Sequence, residues 1–336
     1  VDRLTSLPRS DLYVVYSISN SPYQQWQADL LDFSIREVAQ KGVVIRLCSL
    51  DVDHPTLEVR PSAWGHTFVT PSFAELGSSW FQIFLRWVKR RLEKRVFGRY
   101  HFYCLNKPYA MKSFLKAHPA LDDDSRLLWL DPDMVFNRPW EPSTVEVRKG
   151  LVCGQRWWGY DRRWCLSGAG SHHGASVPAG DSAVMFPFCI SVADMRRISD
   201  PFCRLSREVY HRTRDWKSEM YALVLAMSSA GLKCSTMAAL GTCNNWPDGL
   251  PDEVNAPISH YTQPMTDSSG AVIWNKRSYT PHTLSRPWDR PPRPDRALTL
   301  TDRRTLEMVH RFIDWQEVQV NANPCTSSHE RAPESA

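Results

Sequence analysis

The stretch Arg126-Leu127-Leu128-Trp129-Leu130-Asp131-Pro132-Asp133-Met134-Val135-Phe136 decides how this chain is read. Leu127 to Leu130 form an uninterrupted apolar run, which marks a strand buried on both faces, as in a parallel sheet. Pro132 ends that strand, because it has no N–H to give to a ladder. In open α/β sheets, ligands bind just beyond the carboxyl ends of such strands. Asp131 and Asp133, one residue apart at that place, suit a hard divalent cation that is also held by a substrate's phosphates. The plain alternative is a polar turn after a core strand, and the rest of the chain has to decide between the two.

Upstream, strand and helix signals alternate. Asp11–Ser19 is rich in β-branched and aromatic residues and predicts a strand. Ser21, Pro22 and Gln24 then form a helix start, with Ser21 as N-cap, Pro22 as first helical residue and Gln24 as capping-box partner. Trp26, Leu30, Phe33 and Val38 follow at helical spacing, and Lys41-Gly42 closes the helix. Val43–Ser49 predicts a second strand, so the first fifty residues read as a β-α-β unit with parallel strands. Its first turn has no G-x-G-x-x-G, which argues against a Rossmann dinucleotide site. Residues 51–77 read as an irregular loop. Residues 78–95 read as a basic helix, either a solvated face or a contact for a phosphate-rich partner. Arg99–Leu105 predicts a short strand, and Asn106–His118 a helix capped by Asn106.

Downstream, Leu151–Gly154 predicts a strand. Residues 155–165 are crowded with Trp and Tyr, and residues 167–180 form a Gly/Ser/Ala-rich loop carrying His172-His173. Asp181 precedes an apolar run, Ala183–Ile190. Two helices follow, at about 191–212 and 215–230. Glu219 lies on the second, either on its polar face or, if buried, in need of a partner or a function. Beyond residue 240 the chain is loop-rich and holds His260, Lys276, Arg277 and a Pro/Arg segment at 286–294. Leu298–Trp315 predicts a last helix, and residues 316–336 a disordered tail.

The chain has 336 residues, with 42% hydrophobic and 23% charged, which suits one large α/β domain or two smaller ones. A net charge of +5 permits a phosphorylated ligand without requiring one. The nine cysteines are scattered and include no C-x-x-C pair, so a zinc site or a redox dithiol is not supported. Reduced thiols and a soluble cytoplasmic protein are the expectation. No signal-peptide pattern and no apolar run of 18 residues is seen, so no membrane span is expected.

Together the pieces suggest a metal-dependent enzyme acting on a nucleoside diphosphate. Asp131 and Asp133 would hold Mn²⁺ or Mg²⁺, and a neutral His as third ligand favours Mn²⁺. Lys276 or Arg277 would clamp the phosphates. This is the logic of a glycosyltransferase of the GT-A type.

The chain resembles the plant hydroxyproline O-arabinosyltransferases and, more loosely, the peptidyl serine α-galactosyltransferases. Seven blocks carry the resemblance, in the same order. They are Ser21-Pro22-Tyr23-Gln24-Gln25-Trp26-Gln27, Asn106-Lys107-Pro108 with Phe114-Leu115, Leu130-Asp131-Pro132-Asp133-Met134, Gly180-Asp181-Ser182-Ala183, Glu219-Met220-Tyr221-Ala222, Ser259-His260-Tyr261-Thr262 and Asn275-Lys276-Arg277-Ser278-Tyr279. The resemblance covers about residues 11–315. It implies a GT-A fold, with a Rossmann-like, mostly parallel central sheet flanked by helices, in one catalytic domain over 1–315. Residues 1–140 would form the nucleotide-binding half, and 141–315 the acceptor half with a C-terminal metal- and phosphate-binding segment.

By similarity, Asp131, Asp133 and His260 are the metal and diphosphate residues, and Lys276 is a donor phosphate contact. Ser17, Ser19, Asn106, Lys107 and Arg277 complete the candidate donor-binding set. Asp181 and Glu219 would lie near the donor sugar or the acceptor as catalytic carboxylates. The expected reaction moves a pentose or hexose, such as arabinose or galactose, from a UDP-sugar to a hydroxyl on a peptide, glycan or small molecule. Two other readings stand beside it. One is a DNA glycosyltransferase acting on a hydroxymethylated base, and the other a non-catalytic nucleic-acid-binding module on the same scaffold.

Overall fold

The computed structural model describes residues 7–51, 57–74, 103–144, 146–156, 184–213, 215–237, 240–244, 256–267, 269–277, 290–294 and 298–322. The strands are β1 (Leu12–Ser19), β2 (Val43–Ser49), β3 (His66–Thr70), β4 (Arg126–Leu130), β5 (Met134–Phe136), β6 (Leu151–Arg156), β7 (Val184–Ser191), β8 (Lys233–Met237), β9 (Gly241–Cys243), β10 (Ile258–His260), β11 (Met265–Thr266) and β12 (Val272–Trp274). The helices are α1 (Pro22–Glu37), α2 (Asn106–Ala117), α3 (Val192–Thr213), α4 (Ser218–Ser229) and α5 (Leu300–Ala322).

Two compact units share the chain. The first comprises Val1–Ser21, Gly42–Leu130 and Pro142–Met237, and the second Pro22–Lys41, Asp131–Glu141 and Ala238–Ala336. They interleave along the sequence.

The first unit is an α/β layer built on a seven-stranded mixed sheet in the order β3-β2-β1-β4-β7-β6-β8. β3, β2, β1 and β4 run parallel, β7 is antiparallel to both β4 and β6, and β8 is parallel to β6. The sheet is therefore mostly parallel, as its apolar strands predict. Every residue of β1 is buried, and so are Leu127 to Leu130 of β4. Such two-sided burial is what an uninterrupted apolar run records. Strand order reverses between β1 and β4, which is the ligand-binding switch point of open α/β sheets.

Pro187 lies within β7, but the β6/β7 register skips from Phe188 to Met185 there, so its missing N–H falls at an irregularity. α2 packs on β1, β2 and β3, and α3 packs on α2, α4 and β7. Trp129 anchors one face against Phe186, Phe188 and Phe202, with ring centroids 5.6 to 6.1 Å apart. Gly42, at φ +114°, begins the return from α1 to β2, where a Cβ would meet the Leu12 carbonyl at 2.9 Å.

The second unit holds α1 and α5, the three-stranded sheet β5-β10-β9 and the β11–β12 hairpin. α1 packs on β5 and on α5. The Ser34 hydroxyl of α1 accepts the Phe136 N–H of β5 at 3.0 Å and donates to the Leu31 carbonyl. Gln40 reaches Trp140 with both ends of its amide, accepting from its N–H at 2.7 Å and donating to its carbonyl at 3.0 Å.

Four sequence expectations are corrected. The loop at 51–77 contains β3, a half-exposed strand at the sheet's edge that lacks the apolar run of a central strand. Tyr103–Leu105 is a 3-10 turn leading straight into α2, not the end of a strand. Asn106 does not cap α2, because Leu105 is the N-cap and the Asn106 Oδ1 accepts the Phe73 N–H at 2.8 Å. α5 continues to Ala322, seven residues into the expected tail. Leu306, Val309, Phe312 and Ile313 line its buried face, and the next residue on that face is a fully buried glutamine, Gln316. Apolar periodicity stops at that point although burial does not. The basic helix at 78–95, the aromatic cluster of 157–165, the loop at 167–180 and the final fourteen residues lie outside the described residues.

Among the described residues seven cysteines are free thiols. Burial pushes Cys48, Cys189 and Cys203 up to about 12 and Cys153 to about 11, from an ordinary value near 9. The unfolded chain therefore sheds these protons at a lower pH than the folded one does. Stability is complete while both states are protonated and falls as pH rises from 9 toward 12. Urea midpoints at pH 8 and pH 10.5 are expected to show the loss. At pH 8, iodoacetamide is expected to spare all four thiols in the folded chain and to label them in urea, read by mass spectrometry.

Candidate metal centre

Asp131 is the first residue after β4, and Pro132 and Asp133 follow before the chain enters β5. β5 runs antiparallel to β10 with Met134 opposite His260. One step further, the Tyr261 N–H donates to the Asp133 carbonyl at 3.1 Å. This register is what brings residue 260 to residue 133 across more than a hundred positions. β10 is also paired on its other side, parallel to β9, and the Asn244 N–H donates to the His260 carbonyl at 3.2 Å. His260 thus stands on a strand held by ladders along both edges.

The side chains converge. His260 Nε2 lies 3.0 Å from Asp133 Oδ1 and 4.0 Å from Asp131 Oδ2. Ligand atoms of Asp131, Asp133 and His260 all fall within 4.8 Å of one another. Lys276, two residues past β12, donates from Nζ to Asp133 Oδ2. The Lys276 side chain is only 8% exposed, so its ammonium has little access to water. The His260 ring is buried, and its Nδ1 bonds to no described residue, so packing and the Nε2 contact set its orientation.

Aromatic side chains adjoin both key residues. Tyr261 follows His260 in the chain and is fully buried. Its ring stacks on Trp26 at 6.4 Å and meets Trp274 at 5.9 Å, while Trp26 and Trp274 cross edge to face at 6.2 Å. The Lys276 Nζ sits 5.6 Å from the Tyr261 ring centroid. These three rings were not among the sequence-derived site residues. Trp26 and Tyr261 lie inside two of the quoted blocks and Trp274 stands two residues before Lys276, and that proximity was the available signal.

Burial alone would raise the pKa of Asp133, but Lys276 and His260 outweigh it and hold the carboxyl well below the usual carboxylate range. Burial, then Asp133 and Tyr23, push the Tyr261 phenol well above 10. Two carboxylates against one ammonium leave the cluster with a net negative charge when the imidazole is neutral.

The donor set fits a divalent cation. The ligand atoms of all three side chains lie within 4.8 Å of one another, near enough for one ion to be shared. Two carboxylates with one imidazole also suit Mn²⁺ by ligand type.

The other candidate residues have separate settings. Ser17, Ser19, Asn106, Lys107 and Glu219 belong to the first unit. Ser17 is buried on β1 and its hydroxyl bonds to no described residue. Ser19 donates to the Ser21 hydroxyl at 2.8 Å. Glu219 is buried, with Lys107 Nζ at 2.8 Å from its Oε1 and 4.6 Å from the Phe186 ring centroid. Arg277 is exposed, and its N–H donates to the Asn275 side chain at 3.0 Å. Asp181 and His172-His173 lie outside the described residues. Within the Pro/Arg segment, Arg290 is committed to α5, pairing with Asp314 at 2.6 Å and Glu317 at 2.7 Å.

Among the described residues no helix is long and apolar enough to cross a membrane. No protein-family model matches the chain, and no curated protein matches its sequence.

Proposed function

We propose that the chain is a metal-dependent glycosyltransferase of the GT-A type, using a nucleoside-diphosphate sugar, UDP-linked by resemblance, to glycosylate a hydroxyl. The observation that carries this reading is the convergence of Asp131, Asp133, His260 and Lys276, two carboxylates and an imidazole beside a buried ammonium.

In this reading Asp131, Asp133 and His260 hold Mn²⁺ or Mg²⁺. The bound cation supplies neutralisation of the charge that builds on a departing diphosphate. Lys276 donates to a phosphate oxygen of the same leaving group. If the reaction inverts configuration, Asp181 or Glu219 takes the acceptor proton. If it retains configuration, the departing phosphate can take it.

The test is a donor screen. Purified chain is incubated with a panel of nucleotide sugars and Mn²⁺, and nucleotide release is followed. Release from one donor, lost on adding EDTA and restored by Mn²⁺, is the expected result. Failure of every donor to show metal-dependent release would remove the proposal.

A further inference from the structure

The Asp133 carboxylate has both oxygens engaged by the protein, Oδ1 facing His260 Nε2 and Oδ2 accepting from Lys276 Nζ. Among the described residues, Asp133 is the one carboxylate paired with Lys276, which otherwise lies over the face of Tyr261. A buried ammonium needs a counter-charge, and here it takes one of the three cation-binding side chains. A dication entering beside Asp131, Asp133 and His260 therefore meets a resident positive charge on one of its own ligands. A diphosphate changes that balance, since its several negative oxygens can accept from the ammonium and share the dication.

We propose that Lys276 is the resident counter-ion of Asp133, that divalent-cation binding displaces it, and that the freed ammonium and the cation then hold a diphosphate together. This rests on the metal-centre reading above and adds an order and a coupling to it. The cation binds weakly alone and more tightly with a diphosphate, and by linkage the cation tightens the diphosphate by the same factor. Lys276 is thus a positioning residue that makes the two ligands bind as a unit.

Mn²⁺ binding to the full chain, followed by the electron paramagnetic resonance of the free ion, tests this. Lys276→Met is expected to bind Mn²⁺ alone about tenfold more tightly than wild type, and Lys276→Arg to stay close to wild type. Saturating UDP, with allowance for the Mn²⁺–UDP complex, is expected to raise Mn²⁺ affinity about tenfold in wild type and far less in Lys276→Met. Equal Mn²⁺ affinity in wild type and folded Lys276→Met overturns the inference while leaving the metal centre intact. Absence of any Mn²⁺ binding that Asp131→Ala removes overturns the metal centre itself. A wild-type measurement decides if Lys276→Met fails to fold. Reductive methylation of Lys276, read by mass spectrometry, is expected to speed up severalfold on adding Mn²⁺, and an unchanged rate overturns the displacement.

Discussion

Asp133→Ala is expected to abolish Mn²⁺ binding and metal-dependent nucleotide release, and to lower unfolding free energy by about 3–5 kcal/mol. The stability loss follows from what remains. The Lys276 side chain is 8% exposed, and removing its carboxylate strands an ammonium where water barely reaches. Simple loss of a surface ion pair would cost at most about 1 kcal/mol, so the size of the effect separates the two cases. Asp133→Ala combined with Lys276→Met is expected to regain much of the stability, because neither charge is then left alone, and to regain none of the cation binding. Urea unfolding of the three variants beside wild type reads the first quantity, and the Mn²⁺ resonance titration reads the second. Wild-type Mn²⁺ affinity in folded Asp133→Ala would remove Asp133 from the site. A loss below about 1 kcal/mol would mean that Lys276 finds another partner or reaches water.

The parts of this protein that were legible in sequence are those whose burial is two-sided or whose spacing is local. β1, β2 and β4 stood out because a central parallel strand is predominantly apolar. Asp131 and Asp133 stood out because they follow a core strand one residue apart, although a polar turn would look the same until His260 and Lys276 are set beside them. The pairing of Asp133 with His260 was visible only as two motifs, 127 positions apart, and needed the β5/β10 register to become a distance. The Lys276–Asp133 bond could not be read, because nothing in the sequence says that an ammonium two residues past a short hairpin strand turns inward. β3 was missed for the opposite reason to β4, since an edge strand with a half-exposed face carries no apolar run. Gln316 shows the same limit in a helix, where a buried polar residue on the inner face looks like the end of the pattern. Asn106 shows how a residue type can mislead: its preference for helix starts is genuine, but here its amide serves the Phe73 backbone.

Lys107→Met is expected to destabilise the first unit by about 3–5 kcal/mol, and Lys107→Met with Glu219→Leu by much less. Lys107 stands at the start of α2 and Glu219 in the first turn of α4, so their 2.8 Å contact ties two helices 112 positions apart in sequence. The Glu219 side chain is only 3% exposed, and Lys107 also covers the Phe186 ring. The single variant takes the ammonium partner from a buried carboxylate, whereas replacing both residues leaves an apolar contact of similar volume. Thermal unfolding of the two variants beside wild type reads the difference, and equal losses would mean that the pair is not the source of the cost. The same residues also bear on catalysis, and a different measurement separates the roles. If Glu219 takes the acceptor proton, turnover of the folded fraction of Glu219→Gln falls about 10²–10⁴-fold while donor affinity is unchanged. If its work is to fasten α4 to α2, turnover in Glu219→Gln follows the folded fraction and donor affinity is unchanged. Under the base role Lys107→Met, corrected for its own folded fraction, is expected to lose turnover as well, because Lys107 no longer fixes the Glu219 carboxylate.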